Sequence, residues 1–472
     1  MKLRLIFAVI LSIALLAVTT EAADPGAEIT PSMIENFQKA TSEATGIDRV
    51  INAATNNSLK QLSLNRSIIT HYDPLFNFKL KGSKIIDQKN SGRCWMFAGV
   101  NTVTPHILTK LKLSDLKLSE AYLAFWDKLE KCNSFLETMI DLRDKDRKDR
   151  SLQMYLEEPI GDGGWWHYFS DLIDKYGLVP STAMPETQQS SSTTALNNLL
   201  NTILRKATAE IRTRAADGQS VKKLREYKKE VLGDVYKVLV CAYGRPPKEF
   251  TFRWETGEDS AKVINEKEFT PMSFYHEFYG ESMPEYVAIC NNPTLAYDTP
   301  YKLEGGRNIT ETADLLVLNL PIEKLKAYAY KALLDSEVVW FACDVGKDNF
   351  NDSGIFAVDV YDYNATLGID ANMSKADRIA YHDISPNHAM ALIGVDTTAD
   401  GVPRKWKVEN SWGTKHGKEG YWTMYDSWFD QYVLMVVVEK SRLGPGDLAS
   451  YQKKPVVVAD WEPFFVALRN LQ

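Results

Sequence analysis

The fold of this chain is decided by residues 88–98, which read QKNSGRCWMFA. The first half of this stretch is polar and turn-forming. From Cys94 onward it is an apolar run, which predicts the first turns of a buried helix. A cysteine at the start of a helix lies against unpaired backbone N–H groups and the positive end of the helix dipole, and both stabilise its thiolate. Cys94 is therefore a candidate nucleophile, although a lone buried cysteine is more often an inert core residue.

Three polar residues elsewhere in the chain form a chemical set with Cys94. His388 precedes an apolar run that predicts a strand, and a histidine at a strand's mouth can accept the thiol proton and later return it to a leaving amine. Asn410 lies 22 residues further on. Its side chain can hold the imidazole in orientation while the indole of Trp412 shields that bond from water. Gln88 can donate its amide to a developing oxyanion, together with the backbone N–H of Cys94.

The remaining pattern predicts an α+β fold. Residues 119–143 carry apolar side chains at helical spacing, and residues 195–240 predict two helices that are broken near Gly218. After about residue 335 the pattern changes to short strands rich in β-branched and aromatic residues. The predicted strands are residues 337–341, 389–395, 406–409, 421–424 and 433–438. Helices first and sheet last predict a helical layer and a β-sheet layer that flank a cleft.

Length and composition narrow the classes of function. The chain has 472 residues, of which 44% are hydrophobic and 25% are charged, and its formal net charge is -7. These values fit a folded globular protein. The acidic balance argues against nucleic-acid binding, despite a local excess of basic residues over 196–240. The sequence contains neither HExxH nor clustered Cys and His residues, so we expect no metal and no cofactor.

The first 22 residues have the features of a secretory signal peptide. Lys2 and Arg4 precede an unbroken run of small and apolar residues from 5 to 18, and residues 20–22 match a cleavage site. Because this run is short for a bilayer span, we expect no stable membrane span after cleavage. The predicted location is the secretory pathway, with an extracellular, lysosomal or vacuole-like destination. An uncleaved anchor or a buried helix is the alternative.

Three segments of this sequence, residues 88–95, 387–390 and 408–413, resemble the active-site segments of papain-like cysteine peptidases. More narrowly, they are similar to the bleomycin hydrolase (aminopeptidase C) branch of that family. Further similar segments lie at residues 124–128, 162–165, 175–177, 270–271, 340–347 and 461–463. The resemblance covers nearly all of the chain from about residue 60 onward. It implies a papain-like fold with a large helical insertion.

The resemblance also implies an activity and an assembly. The activity is that of a cysteine aminopeptidase, which hydrolyses N-terminal residues of peptides through a thioester. Catalysis is assigned to Cys94, His388 and Asn410, and the oxyanion hole to Gln88. The assembly is a homohexamer whose active sites face an inner chamber, and its substrates are peptides with a free amino terminus. Family members are of cytosolic type, so the cytoplasm is the alternative location if the first 22 residues are not a signal peptide.

The resemblance places further residues in the substrate cleft. They are Asp162, Gly163, Gly164, Trp165 and Trp412. For residues 162–164, a plain structural turn is an equally good interpretation.

The C-terminal tail is implied to lie in the cleft as well. There the terminal carboxylate would meet the substrate's free amino group, so that residues leave one at a time. Ala467 and Leu468 correspond to the family's terminal Ala-Leu, whereas this chain continues to Gln472. We expect the four residues after Leu468 to project further into the cleft and to block it partly until they are removed.

The spacing of the catalytic set explains the length of the chain. Cys94 and His388 are 294 residues apart. The compact papain-like pattern separates these two residues by roughly 130–150 positions, which leaves about 150 for an insertion. The predicted organisation is a signal peptide (1–22), an N-terminal arm (23–80), a papain-like helical half (81–186), a mostly helical insertion for oligomerisation (187–335), a papain-like β half (336–455) and a tail in the cleft (456–472).

Two other functions fit parts of the pattern. One is a papain-type cysteine endopeptidase with a removable prosegment. Cys94 is only 72 positions after Ala22. Since papain-like enzymes place the cysteine roughly 25 residues into the mature chain, fewer than about 50 would remain for a prosegment, which is short. The other function is a non-catalytic assembly protein on the same scaffold, and the complete Gln, Cys, His and Asn set argues against it.

Overall fold

The structure is a computed structural model that describes residues 26–113, 115–256 and 263–467. The predicted signal peptide and Leu468 lie outside the described residues. The chain divides into two compact units. The smaller comprises Met1–Leu64 with Tyr363–Ile369, and the larger comprises Asn65–Asp362 with Asp370–Gln472.

The helices lie mainly in the first half of the chain. In chain order they are α1 (Pro31–Glu43), α2 (Ile47–Ala54), α3 (Leu59–Leu62), α4 (Arg66–Thr70), α5 (Cys94–Leu111), α6 (Glu120–Asp141), α7 (Arg150–Glu157), α8 (Trp166–Tyr176), α9 (Gln188–Ser191), α10 (Thr194–Ala216), α11 (Val221–Tyr243), α12 (Pro271–Phe278), α13 (Ile322–Leu334), α14 (Tyr363–Leu367), α15 (Lys375–Ala380), α16 (Asp426–Tyr432), α17 (Pro445–Tyr451) and α18 (Pro463–Val466). Among the helices of the described residues, none combines the length and the apolar character needed to cross a bilayer.

The strands lie mainly in the second half. They are β1 (Phe78–Lys79), β2 (Phe250–Thr256), β3 (Val263–Phe269), β4 (Tyr286–Cys290), β5 (Thr299–Leu303), β6 (Leu316–Asn319), β7 (Val339–Cys343), β8 (Asn349–Phe350), β9 (Ile355–Phe356), β10 (His388–Thr397), β11 (Pro403–Glu409), β12 (Tyr421–Tyr425), β13 (Val433–Glu439) and β14 (Val456–Val458). The main sheet has the order β14-β5-β6-β4-β13-β7-β10-β11-β12-β9-β8, with β1 also paired to β10, while β2 and β3 form a separate hairpin.

The smaller unit is helical where it is described, and contains α1, α2, α3 and α14. The hydroxyl of Thr30 accepts a hydrogen bond from the Met33 N–H and caps α1, while Pro31 occupies its first turn. None of the side chains of these four helices is buried.

The larger unit packs a helical layer against the central strands of the main sheet. Helix α5 contacts β10 on one side and α8 on another, and α6 contacts α8, α10 and α11. Gly99 in α5 permits this close packing, because a Cβ at that position would lie 2.6 Å from the ring of Phe169. The predicted helices at 94 and at 119–143 are confirmed as α5 and α6. The predicted break near Gly218 is confirmed as the turn between α10 and α11.

The main sheet brings His388 and Asn410 to the same end of its central strands. Strand β10 begins at His388, and β11 runs antiparallel to it and ends at Glu409, directly before Asn410. In an antiparallel pair, the start of one strand and the end of its neighbour lie side by side at the same end of the sheet. Strand β7 ends there too, since Cys343 is the partner of His388 in the ladder.

The region predicted as a mostly helical insertion, residues 187–335, has a mixed composition. It is helical through Tyr243, in α9, α10 and α11. Beyond that point it forms the β2–β3 hairpin, and β4, β5 and β6 then extend the main sheet past β13. The expectation of helix is therefore wrong for residues 286–319. In β6 the adjacent residues Val317 and Leu318 are both buried, so both faces of the strand are covered and its short apolar run lacks the alternation of a strand with one solvent-facing side. The predicted domain boundaries themselves stay a prediction.

Candidate active site

The candidate nucleophile is the first residue of α5. Arg93 occupies the N-cap position, and its carbonyl accepts hydrogen bonds from the N–H groups of Met96 and Phe97. The side chain of Cys94 is almost fully buried and lies beside the His388–Ala389 peptide, where the Ala389 N–H interacts with the thiol. The helix start predicted from the sequence therefore brings the sulfur to the sheet edge that carries His388.

Two opposing effects act on the pKa of the Cys94 thiol. Burial raises the pKa of Cys94 to about 12, although the backbone N–H groups of Ala389 and Trp95 act in the opposite direction. The helix N-terminus, which is expected to lower the pKa of the thiol, is therefore opposed by the loss of solvent, and burial is the larger of the two effects. Because burial disfavours the thiolate, attack by the sulfur needs a partner that takes the thiol proton.

That partner is available as a neutral imidazole. His388 is buried, and Nε2 lies 2.9 Å from Oδ1 of Asn410. Because an amide oxygen only accepts, Nε2 carries the proton, and Nδ1 of the neutral ring has a free lone pair. Burial lowers the pKa of His388 to about 4, so the ring stays unprotonated at neutral pH. Transfer of the Cys94 proton to Nδ1 of this ring would leave the net charge of the site unchanged.

Asn410 is itself held in place. Its Oδ1 also accepts the N–H of Ser411 at 2.7 Å. The ring of Trp412 covers His388, with the two ring centroids 4.8 Å apart and the planes inclined by 33°. This is the shielding position predicted for Trp412, and the indole excludes water from one face of the imidazole.

Gln88 links two loops. The first is the nucleophile loop, residues 88–93, which leads into Cys94, and the second begins at Asn410, directly after β11. Its Nε2 donates to the carbonyl of Ser91 at 2.6 Å, and its Oε1 accepts the hydroxyl of Ser411 at 2.6 Å. Its backbone N–H donates to the Ser411 carbonyl at 2.8 Å. A primary amide has two hydrogens on nitrogen, and one of them is used on Ser91. The second is available to an oxygen of a bound substrate.

Residues 162–165, expected to line the cleft or, for 162–164, to form a structural turn, support the loop before Cys94 through the bond from the Gly92 N–H to Asp162. The carboxylate of Asp162 and the ring of Trp165 are fully buried, so their side chains do not line a cleft. Gly164 packs against the indole of Trp95, where a Cβ would lie 2.6 Å from the ring. The carbonyl of Gly163 accepts Nζ of Lys131 at 2.5 Å. This buried position fits the structural-turn interpretation of residues 162–164, and a cleft-lining role of Gly163 and Gly164 stays a prediction.

The tail is described only in part. Phe464 and Phe465 are buried, and the carboxylate of Glu462 caps the N–H of Phe465 at 3.0 Å. Ala467 is half-buried, and Leu468 lies outside the described residues. Within the described part of the chain, no group of three or more His, Cys, Asp or Glu residues is arranged to hold a metal ion.

Comparison with known proteins places this geometry in a family. The model of the Peptidase C1-like family matches residues 28–465. The chain belongs to the Peptidase C1-like family.

Several relatives are similar over nearly their whole length. The aminopeptidase C of Streptococcus thermophilus is 37% identical over 414 residues, which are 87% of this chain and 93% of the relative. That of Lactococcus lactis subsp. cremoris is 37% identical over 439 residues, which are 92% of this chain and 98% of the relative. The crystal structure of PepW from Lactobacillus rhamnosis aligns with a TM-score of 0.89 at 37% identity, and covers 93% of this chain and 99% of PepW.

These similarities settle the class of the Peptidase C1-like chain. The resemblance inferred from the sequence is confirmed, and so is the papain-like α+β fold class. The predicted enzyme class, a cysteine-type peptidase similar to the aminopeptidases C, is confirmed as well.

The sequence analysis did not identify the buried residues that hold the 161–163 turn against the loop before Cys94. Lys128 and Lys131 on α6 are buried and donate to the Gly161 and Gly163 carbonyls. The sequence contained one indication of this role. Asp127 and Lys131 are four residues apart in a helix with many apolar residues, which is the spacing of an ion pair on one helix face. The roles of Thr193 and Asn197, which bond to Asp162, left no such signal.

Proposed function

We propose that this chain is a cysteine aminopeptidase, which removes residues one at a time from the free amino end of peptides. Cys94 is the nucleophile, His388 the general base and acid, Asn410 the residue that orients the imidazole, and Gln88 an oxyanion donor. The observation that carries this proposal is the 2.9 Å bond between His388 Nε2 and Asn410 Oδ1, because it leaves Nδ1 as the base.

The reaction proceeds through a thioester. Nδ1 of His388 takes the proton of the Cys94 thiol as the sulfur attacks the carbonyl carbon, and the carbonyl π electrons move to the oxygen. The Gln88 amide and the Cys94 backbone N–H donate to that oxyanion. When it collapses, the C–N bond breaks and the leaving amine takes the proton from His388. Water, deprotonated by His388, then attacks the thioester and releases the acid and the free thiol.

The restriction to free amino ends is assigned to the C-terminal tail. As in the family that this chain resembles, a terminal carboxylate at the cleft would pair with the ammonium of the substrate and fix the distance to the scissile bond. The buried anchors Phe464 and Phe465 support this proposal, because they tie the chain down just before Ala467 and Leu468. The residues beyond Leu468 would shorten the space available and obstruct binding until they are removed.

Matched peptides test the proposal directly. Peptides of one sequence with a free or an acetylated amino terminus are incubated with the protein, and products are separated by mass. We expect stepwise loss of N-terminal residues from the free peptide and no cleavage of the acetylated one. Internal cleavage of both peptides contradicts the proposal and favours the papain-type endopeptidase.

The C-terminal extension is tested with two chain lengths. The full-length chain and a chain that ends at Leu468 are compared on the same free-amine peptide. We expect the shorter chain to have a lower KM, since its carboxylate is unobstructed. Equal activity of the two forms contradicts the blocking role.

Assembly and location complete the proposal. We assign a homohexamer to the protein and the secretory pathway to the signal-like residues 1–22, with the cytoplasm as the alternative. Native mass measured at working concentration tests the hexamer. Sequencing of the amino terminus of the protein recovered from the medium and from the cells tests the cleavage after Ala22.

A further inference from the structure

Asp162 is the centre of a buried network behind the nucleophile. One of its carboxylate oxygens accepts the Gly92 N–H at 2.8 Å and the Thr193 hydroxyl at 2.5 Å. The other accepts Nζ of Lys128 at 2.6 Å and Nδ2 of Asn197 at 3.1 Å. Burial opposes its ionisation, but Lys128 and the hydrogen bonds outweigh burial and lower its pKa. The carboxylate is therefore ionised, neutralised by one lysine and held by four donors.

The neighbouring residue of the loop is anchored to the same region of the chain. The buried guanidinium of Arg93 donates to both carboxylate oxygens of Glu186, at 3.1 and 2.8 Å, and to the Ser190 carbonyl at 2.6 Å. One turn earlier, the N–H of Asn90 donates to the Ser191 carbonyl at 3.0 Å. The loop before Cys94 is thus attached to residues 186–197, which lead into the helical part of the insertion.

Within the described residues no disulfide helps to fix the loop before Cys94, because all five cysteines are free thiols. Gly92 is two residues before Cys94, and Arg93 caps α5. A small rotation of this turn would move the Cys94 N–H, which is one of the two oxyanion donors. Such donors stabilise a transition state only when they are held in place in advance, and a displacement of about 1 Å can cost about 100-fold in rate.

We propose that Asp162 is a positioning residue of the oxyanion hole. It acts through the Gly92 N–H to fix the turn that presents the Cys94 N–H, and Thr193 and Asn197 make the start of α10 part of this support. The insertion therefore supports catalysis in addition to any role in assembly. This inference deepens the proposed function and rests on it.

Two variants test the inference, with two controls. Thr193→Val removes one donor to Asp162 at nearly constant volume, and Asp162→Asn removes the charge. Thr208→Val is the matched control on the same helix, since its buried hydroxyl bonds only to the Leu204 carbonyl. Asp447→Asn is the matched control for Asp162→Asn, since the Asp447 carboxylate on α17 is also buried and is bonded to Lys324 and Tyr328 and not to the loop before Cys94.

Each variant is measured in two reactions of the full chain. Hydrolysis of an aminoacyl amide passes through an oxyanion, whereas alkylation of Cys94 by iodoacetamide does not. For Thr193→Val and Asp162→Asn we expect kcat to fall by about 10-fold to 100-fold with little change in KM, and the alkylation rate to stay within about twofold. Thr193→Ser restores the hydroxyl and should restore kcat. Both controls should behave as the wild type.

The outcomes separate the inference from the proposed function. Unchanged kcat in both variants overturns the inference, and so does an equal fall in hydrolysis and alkylation, which would mean general damage to the thiol. If Asp162→Asn does not fold, Thr193→Val and its serine rescue decide alone. A wild-type chain that hydrolyses no free-amine substrate contradicts the proposed function instead.

Discussion

The two sides of the active site are held by different forces. The Cys94 side depends on buried charges brought from distant segments, with Arg93 bonded to Glu186 and Asp162 bonded to Lys128. The His388 side depends on the main-chain ladder of β10 with β7 and β11. A backbone ladder tolerates most side-chain substitutions, whereas a buried ion pair fails when either partner is lost. We therefore expect the nucleophile loop to be the more fragile side.

The largest effect is expected where the two sides meet, at the sulfur. Cys94→Ser should lower the activity by about six orders of magnitude, because a serine hydroxyl beside this imidazole is a poor nucleophile. The hydroxyl replaces the thiol at nearly the same volume, so native mass and thermal unfolding should stay those of the wild type. Hydrolysis rates together with native mass give the result. Unchanged activity in this variant would exclude the thioester mechanism and favour the non-catalytic alternative.

The link between the two sides is expected to show the next largest effect. Gln88→Ala should lower kcat by about 100-fold to 1,000-fold, since it removes a side-chain donor to the oxyanion. Ser411→Ala removes only the partner of the Gln88 carbonyl, which lies 2.6 Å from that hydroxyl, and should cost less. Both variants are compared by kcat and KM on one substrate. A larger loss in Ser411→Ala than in Gln88→Ala would contradict the assignment of Gln88 as the donor.

The next largest difference between the two sides is expected in the free energy of unfolding when an ion pair on each side is broken. Arg93→Met leaves the Glu186 carboxylate, about a quarter exposed, without its cation and should lower the free energy of unfolding by about 2 kcal/mol. On the sheet side, Lys405→Met should cost less, because its nearer partner Asp73 is more than half exposed and its second partner Asp396 keeps the guanidinium of Arg404 at 2.7 Å. Urea unfolding of both variants makes the comparison. An equal loss in the two variants would mean that the nucleophile loop is not the more fragile side.

The same contrast explains what could be predicted from the sequence. Local patterns were enough for the start of α5 at Cys94 and for the strands that begin at His388 and end before Asn410, because helix and strand periodicity are properties of neighbouring residues. They were not enough for Asp162, whose carboxylate was assigned to the cleft and is fully buried. Its partners come from three separate segments, around residues 92, 128 and 193–197, and only tertiary packing brings them together. Thr193 lies two residues before the helix predicted from residue 195, and the local sequence gave no indication of its role.

The smallest expected effect concerns the pH dependence of the sheet side. Burial lowers the pKa of His388 to about 4, so its base is lost, and kcat/KM should fall, only as the pH drops through about 4. The same shift means that the stability tied to the neutral ring is present above its unfolded pKa of about 6.5 and is lost as the pH falls toward 4. Asn410→Asp places a carboxylate at Nε2, which favours the imidazolium and should move the acid limb up by about one pH unit. An acid limb that does not move in this variant would show that a group other than His388 controls it. The low pKa of His388 would then not explain why kcat/KM is retained down to about pH 4.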